Sequence, residues 1–87
     1  MRSCRYSDRL KRILKKLSGK DRKIYERVLN KIEEITNAEN VEHYKNLRHD
    51  LKDKKRVHVG HFVLTFNYNK NNDLISFEDF DHHDNIY

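Results

Sequence analysis

The sequence predicts an α+β fold in which an N-terminal two-helix hairpin packs on a small antiparallel β-sheet. Two changes of pattern carry this prediction. Apolar residues recur every three or four positions between residues 10 and 35, as on one face of a helix. From residue 54 they recur every second position, as in strands with one buried face. The polar segment between them, residues 37–52, is expected to form an ordered loop.

The first helix is predicted over residues 8–18. Ser7 can cap it, because a serine hydroxyl accepts a hydrogen bond from a free amide of the first turn. Gly19 can adopt the left-handed conformation that ends a helix. The apolar face consists of Leu10, Ile13, Leu14 and Leu17.

The second helix carries a wider apolar stripe that fades at Thr36 and Asn37. Its members are Ile24, Tyr25, Val28, Leu29, Ile32 and Ile35. Because the turn around Ser18 and Gly19 is very short, the two helices are expected to lie antiparallel.

Three strands should follow as a meander. Gly60 separates the first two, and the Asn- and Asp-rich turn at residues 69–73 tolerates positive φ before the third. Residues 2–6 are a possible short extra strand, since Cys4 and Tyr6 alternate with polar neighbours. The predicted core contains Leu14, Leu17, Val28, Ile32, Val57, Leu64 and Phe66.

Composition narrows the class of protein. The 87 residues are expected to form one domain, 1–87, and a net charge of +5 favours an acidic or polyanionic partner. Basic residues crowd residues 2–23 and are absent after residue 70. With one cysteine, no long apolar run and no leader-like segment, a soluble cytoplasmic protein is expected.

A basic row is predicted on the first strand of the meander. Its members alternate with Val57 and Val59, which are expected to face the helices, so they should point to the other side of the sheet. The row consists of Lys54, Arg56 and His58. A solvated sheet face, or an edge guarded by charge against aggregation, would show the same pattern.

Residues 81–87 bring two imidazoles and a phenol to the end of an aromatic strand. His82 and His83 should diverge on an extended backbone, so at most one would face the basic row, with His83 favoured. Imidazoles exchange protons near neutral pH, as phosphodiester cleavage requires. The row and this segment therefore predict one RNA-facing site. For Tyr87, the alternative is a frayed chain end.

No metal and no cofactor are expected. The histidines lack the i, i+4 spacing of a zinc protease, and none lies beside the cysteine. His43, His49 and His61 are interpreted as surface or structural residues. Without a Gly-rich phosphate loop, nucleotide hydrolysis is not expected either.

The order of elements and three short segments resemble the RelE/ParE superfamily of toxins over nearly the whole chain. The segments are Asn46–Arg48, Lys55–Phe62 and His82–Tyr87. The resemblance implies a RelE-like toxin of a type II toxin–antitoxin system, held inactive by a RelB-like antitoxin. For RelE-type members it implies a metal-independent endoribonuclease, or mRNA interferase, that cuts mRNA in the ribosomal A site through 2′-hydroxyl attack and inhibits translation.

The resemblance also implies residue roles. The catalytic set would be Arg56, His58, His83 and Tyr87. RNA contacts would come from Lys54, Lys55, Arg48 and His82. Two positions depart from arginines found in family members, Val63 on the middle strand and Asp81 before the final tyrosine. Restoring the first arginine, Val63→Arg, is expected to recover part of the activity.

Cleavage of this kind needs a base, stabilisation of a charged phosphorane and a proton for the leaving 5′-oxygen. Arg56 suits charge stabilisation, because a guanidinium is always charged and binds phosphate through two hydrogen bonds, with Lys54 as second cation. A histidine has a reference pKa of about 6.5, so either His58 or His83 could be base or acid. Tyr87 could orient the 2′-hydroxyl, stack on a base or donate a proton.

Two other function classes stay open. A ParE-like toxin would inhibit DNA gyrase by protein contact, and a non-catalytic module would bind RNA without cutting it. The basic first helix could contact ribosomal RNA or be a solvated face. The antitoxin is expected to be acidic or amphipathic and to fold as it covers the sheet or the helix grooves.

Overall fold

The computed structural model describes residues 2–47 and 54–86. In order, the elements are β1 (Ser3–Tyr6), α1 (Asp8–Lys20), α2 (Arg22–Asn37), a 3-10 turn (Val41–His43), β2 (Lys54–Val59), β3 (Phe62–Asn69), β4 (Leu74–His82) and α3 (His83–Ile86). The predicted α+β fold, with its helical hairpin, its meander and its short N-terminal strand, is confirmed. The short helix α3 was not predicted.

The sheet is mixed, not purely antiparallel as expected. Its order is β1-β4-β3-β2, with the meander antiparallel and β1 parallel to β4. A parallel neighbour needs a long connection, and here both helices and two strands separate β1 from β4 along the chain. Because β1 pairs only with residues 74–77, the rest of that edge of β4 is left to the start of α1.

The helices begin and end through side-chain caps. The Ser7 hydroxyl accepts from the Leu10 amide at 3.0 Å, as predicted, and donates to the Glu78 carbonyl, which ties α1 to β4. The expected end at Gly19 is wrong, because α1 continues to Lys20. Asp21 serves both helices: its amide closes α1, and its carboxylate accepts from Ile24 to begin α2. No left-handed glycine is therefore needed.

Both helices pack on one face of the sheet. The core there consists of Leu10, Val28, Ile32, Ile35, Val41, Val59, Leu64, Phe66, Ile75, Phe77 and Phe80. Four of the seven predicted core residues belong to it, and the other three, Leu14, Leu17 and Val57, are half-buried against it. Leu14 stays half-buried because it lines an open groove between α1 and α2. In the described residues, no helix is long and apolar enough to cross a membrane.

The meander contains two left-handed positions and one bulge. Gly60 has φ +64° in the first turn, and Asp73 has φ +49° in the turn where Asn and Asp were expected to tolerate it. The register shifts between Thr65, opposite Asp79, and Phe66, opposite Phe77, so Glu78 is an extra residue in β4.

The segment before β2 is held by a buried lysine. The Lys55 side chain, 5% exposed, lies on the helix side of the sheet, and its ammonium donates to the Glu42 and Tyr44 carbonyls and to Asn46 Oδ1 at 3.0–3.4 Å. The ordered loop predicted over residues 37–52 is thus present as far as residue 47, and residues 48–53 lie outside the described residues.

We expect Lys55→Met to lower the free energy of unfolding by about 1–3 kcal/mol, because three oxygen acceptors lose a charged donor. Urea titration measures this. Lys54→Met is the matched control, since the neighbouring Lys54 is exposed and its ammonium lies 3.6 Å from the Glu78 carboxylate in a solvent-accessible ion pair. Equal effects of the two substitutions would contradict the structural role of Lys55.

Candidate active site

The open face is the side of the sheet opposite the two helices. Directly paired residues of neighbouring strands share a face, so the register defines two rows across it. One row contains Arg56, Thr65 and Asp79, and the other contains His58, Val63 and Asp81, while Lys54 pairs with Asn67 on the same face. The three residues of the basic row therefore lie together on the open face, at its β2 edge.

Charge on the open face is divided between β2 and β4, the two strands on either side of β3. Arg56 and His58 lie on β2, whereas Asp79 and Asp81 lie on β4 at the other ends of the same rows. Two strand spacings separate them, about 10 Å. A phosphate is therefore attracted to the β2 side and repelled by the carboxylates of β4.

Arg9 partly neutralises those carboxylates. Its Nε lies 2.9 Å from Asp79 Oδ1 and its Nη2 lies 3.7 Å from Asp81 Oδ2. Arg9 belongs to the first turn of α1, which covers the edge of β4 that β1 leaves unpaired. These ion pairs add little stability because Arg9 is largely exposed, but they reduce the negative potential of the β4 carboxylates on the open face.

Arg56 is anchored to the loop before β2. Its backbone amide donates to the Lys45 carbonyl at 3.0 Å, and its Nε donates to the Asn46 carbonyl at 3.1 Å. The side chain is half-buried, although the basic row was expected on the exposed side of the sheet. The Nε bond fixes the plane of the guanidinium, which orients the group for an anion.

Asp81 connects the open face to α3. Its Oδ1 accepts from Asn85 Nδ2 at 3.1 Å and from the His82 amide at 2.8 Å. These bonds, the one from Asn85 first, lower the pKa of Asp81 below its usual value. Asp81 therefore holds α3 over the end of the sheet as a carboxylate.

Val63 lies beside Asp81 and is fully buried although it belongs to the open face. The helix α3 packs against β3 and β4 at this end of the sheet. An arginine at position 63 would need to bury its charge there, at a cost of several kcal/mol. The expectation that Val63→Arg restores activity therefore does not fit the structure.

His82 and His83 do not diverge as expected. The strand ends at His82 and α3 begins at His83, so the helical turn brings the two ring centroids to 4.7 Å. His82 lies on the helix side, paired with Phe62 and 5.9 Å from its ring. His83 lies beside the β2–β3 turn, with its amide 3.1 Å from the His61 carbonyl.

The structure thus places Lys54, Arg56 and His58 along β2 on the open face, and His83 beside the β2–β3 turn, at the His58 end of that strand. Lys55 and His82 lie on the helix side, and buried Lys55 holds the loop. Arg48 and Tyr87 lie outside the described residues.

Sequence reasoning missed Arg9, Asp79 and Asn85 as parts of this surface, and it treated Asp81 only as a departure from an arginine of the family. The spacing of Phe77 and Phe80 was the available signal. Regular strand alternation leaves one residue between two core-facing side chains, whereas two residues, Glu78 and Asp79, separate these two.

Two curated proteins match most of the chain. One, from Methanocaldococcus jannaschii, is named "Putative toxin RelE4" and is 56% identical over 79 residues, which cover 90% of this chain and 82% of that protein. The chain belongs to the RelE toxin family. The other relative, an "Uncharacterized protein" of Methanosarcina mazei, is 44% identical over 73 residues, 83% of each chain. No family model and no solved structure matches. The predicted resemblance to RelE toxins is confirmed.

Because the pKa of Asp81 is lowered in the folded protein, the free energy of unfolding should fall when acid protonates this carboxylate. A depressed folded-state pKa stabilises the fold above the unfolded pKa of about 3.9, and this contribution is lost as the pH falls through the folded-state pKa. Urea midpoints measured from about pH 5 down to about pH 2 should fall less in Asp81→Asn than in the parent. An equal fall in both proteins would show that Asp81 does not stabilise the fold as an ion.

Proposed function

We propose that this RelE-family chain is the toxin of a type II toxin–antitoxin system and acts as a ribosome-dependent endoribonuclease that cleaves mRNA in the A site and inhibits translation. One observation carries the proposal: Arg56 and His58 project from adjacent same-face positions of β2, and His83 lies at the same end of the sheet. In a RelE-family chain, a charge-stabilising group and an imidazole at neighbouring same-face positions, with a second imidazole beside the β2–β3 turn, support this proposal.

Arg56 is assigned to the scissile phosphate. Its Nε is already bonded to the Asn46 carbonyl, so the guanidinium need not reorganise when charge develops on the phosphorane. Lys54 adds a second cation at the next same-face position of β2. Its ammonium pairs with the Glu78 carboxylate and would leave this partner to bind phosphate. Arg9 reduces the repulsion from Asp79 and Asp81 across the sheet.

His58 and His83 are assigned to proton transfer. One accepts the proton of the attacking 2′-hydroxyl and the other protonates the leaving 5′-oxygen. Because the nucleophile belongs to the RNA itself, these groups and the cations suffice for the reaction. On the family resemblance, Tyr87 is retained as a candidate catalytic residue and Arg48 as a candidate RNA contact. Lys55 is withdrawn because its ammonium is buried under the loop.

The ribosome is assigned the task of positioning the message. The open face is a sheet surface, and orientation of reactants alone supplies several kcal/mol of barrier reduction. Exposed basic residues of α1 offer contacts to ribosomal RNA, and such contacts weaken steeply with salt. They are Lys11, Arg12, Lys15 and Lys16.

An antitoxin of acidic, amphipathic character fits the groove between α1 and α2. Its apolar lining includes the two large apolar side chains that the described residues leave exposed, Tyr6 at 37% and Leu29 at 39%. Lys11 and Lys15 flank it. An amphipathic helix with acidic flanks would bury the apolar strip and pair with both lysines.

Arg56→Ala is expected to slow ribosome-dependent cleavage by about 100-fold or more, because loss of one preorganised donor to a developing oxyanion costs about 2.7–4 kcal/mol of barrier. The rate is measured from cut ends of a defined mRNA on purified ribosomes. Since the substitution also removes the bond to Asn46, circular dichroism must show a folded variant at the assay temperature.

Arg5→Ala is the matched control, because exposed Arg5 lies on β1, at the opposite edge of the sheet from Arg56. It should keep a rate within a few-fold of the parent. A folded Arg56→Ala protein that cuts at the parental rate would remove Arg56 from the reaction.

Induction of the toxin without its antitoxin should stop incorporation of labelled amino acids before incorporation of labelled uridine or thymidine, because the proposed target is mRNA on the ribosome. The order of arrest in pulse-labelled cells measures this. Early loss of thymidine incorporation with gyrase inhibition would instead favour the ParE-like function, and RNA binding without cut ends would favour the non-catalytic module.

A further inference from the structure

Three consecutive side chains form a compact group of nitrogen and oxygen ligands where β4 passes into α3. This His82–Asp84 cluster consists of His82, His83 and Asp84, whose ligand atoms all lie within 4.8 Å of one another. His82 Nδ1 is 3.4 Å from Asp84 Oδ2, and His83 Nε2 is 3.0 Å from Asp84 Oδ1. The proposed cleavage uses only one of the three residues.

The His83 ring is oriented by the main chain. Its Nδ1 lies 3.3 Å from the His61 carbonyl oxygen, which can only accept, and this contact favours the tautomer with the proton on Nδ1. In the neutral ring, Nε2 then presents its lone pair to Asp84 Oδ1 at 3.0 Å. Two lone pairs at this distance repel unless a proton or a metal cation lies between them. A carbonyl behind the far ring nitrogen is also the usual partner of a metal-ligating histidine.

His82 Nδ1 lies close to the same carboxylate, 3.4 Å from Asp84 Oδ2. It accepts a long hydrogen bond from the Asp84 amide at 3.3 Å, and its one lone pair exchanges this bond for the metal when an ion binds. The ring is held in position by Phe62 and by His61, whose ring centroid lies 6.4 Å away. Two imidazole nitrogens and one carboxylate thus converge without a change of backbone.

We propose that the His82–Asp84 cluster binds one divalent transition-metal ion of the Zn²⁺ or Ni²⁺ class, and that the bound ion switches off cleavage. Two imidazoles and a carboxylate suit these borderline metals, whereas Mg²⁺ prefers oxygen ligands. Metal–nitrogen bonds of about 2.0–2.1 Å require only small rotations of these side chains, which are 40%, 46% and 73% exposed. A fourth position stays open for water.

The second part of this proposal, that the bound ion switches off cleavage, rests on the proposed function. A metal bound at His83 Nε2 occupies the lone pair that would carry a proton to or from RNA. The ion also ties His83 to Asp84 and His82 and so restricts α3 at the edge of the open face. Metal binding itself requires neither RNA nor ribosomes.

Binding is tested on the full chain after removal of metal by a chelator and dialysis. Calorimetric titration with ZnCl₂ and with NiCl₂ should show one site, and MgCl₂ should show none. His82→Gln and Asp84→Ala should each weaken binding at least about tenfold, because each removes a direct ligand. His43→Gln, which removes an exposed imidazole outside the cluster, should bind like the parent. No saturable binding, or binding that both ligand variants leave unchanged, overturns the site.

Inhibition is tested by cleavage of ribosome-bound mRNA with and without saturating Zn²⁺, each protein being compared with its own metal-free rate. The parent should lose most of its activity and Asp84→Ala should keep most of its own. If the metal binds but the parent cuts at an unchanged rate, the inhibitory half is wrong while the proposed function stands. If the metal-free parent does not cut at all, the proposed function and the inhibition fail together, whereas the titration still decides the metal site.

Discussion

One extra residue in β4, Glu78, decides which side chains reach each face of the sheet. In an unbroken strand, Asp79 and Asp81 would follow Ile75 and Phe77 into the helix-packed core. The bulge turns both carboxylates to the open face and keeps Phe80 buried, 4% exposed. Burial of Phe80 and the cost of burying two carboxylates both favour this register. The open face, its contact with Arg9 and the attachment of α3 all depend on it.

The same bulge gives the open face its electrostatic division. Cations lie on β2 and carboxylates on β4, with one short row of uncharged residues, Val63 and Thr65, between them. A phosphate group is therefore attracted to the β2 side of this face, where Arg56 lies. Asp81 has a different part, because its bond with Asn85 fixes α3 and, with it, the position of His83. Asp81, which stands where some family members have an arginine, thus positions α3.

The loop before β2 shows how burial can override residue type. Lys55 stands between two members of the basic row in sequence, yet its ammonium satisfies oxygen atoms of the loop on the helix side. Charged residues of one short segment therefore divide into a group available to a ligand and a group that supports the fold. The carbonyl of Asn46 in this loop in turn accepts from Arg56 Nε. The loop that Lys55 holds therefore also orients Arg56 on the open face.

Local patterns in the sequence determined the elements, because helical and strand periodicities report which side of each element is buried. The two helices, the Ser7 cap, the meander and the positive φ in the 69–73 turn all follow from neighbouring residues, and so does the basic row as a set of same-face positions. Only the tertiary structure decided the parallel pairing of β1, the bulge at Glu78, the burial of Lys55 and Val63, and the convergence of His82, His83 and Asp84. Each of these depends either on contacts between residues far apart in the chain or on a point where the regular alternation of a strand is interrupted. A pattern of alternating residues predicts neither.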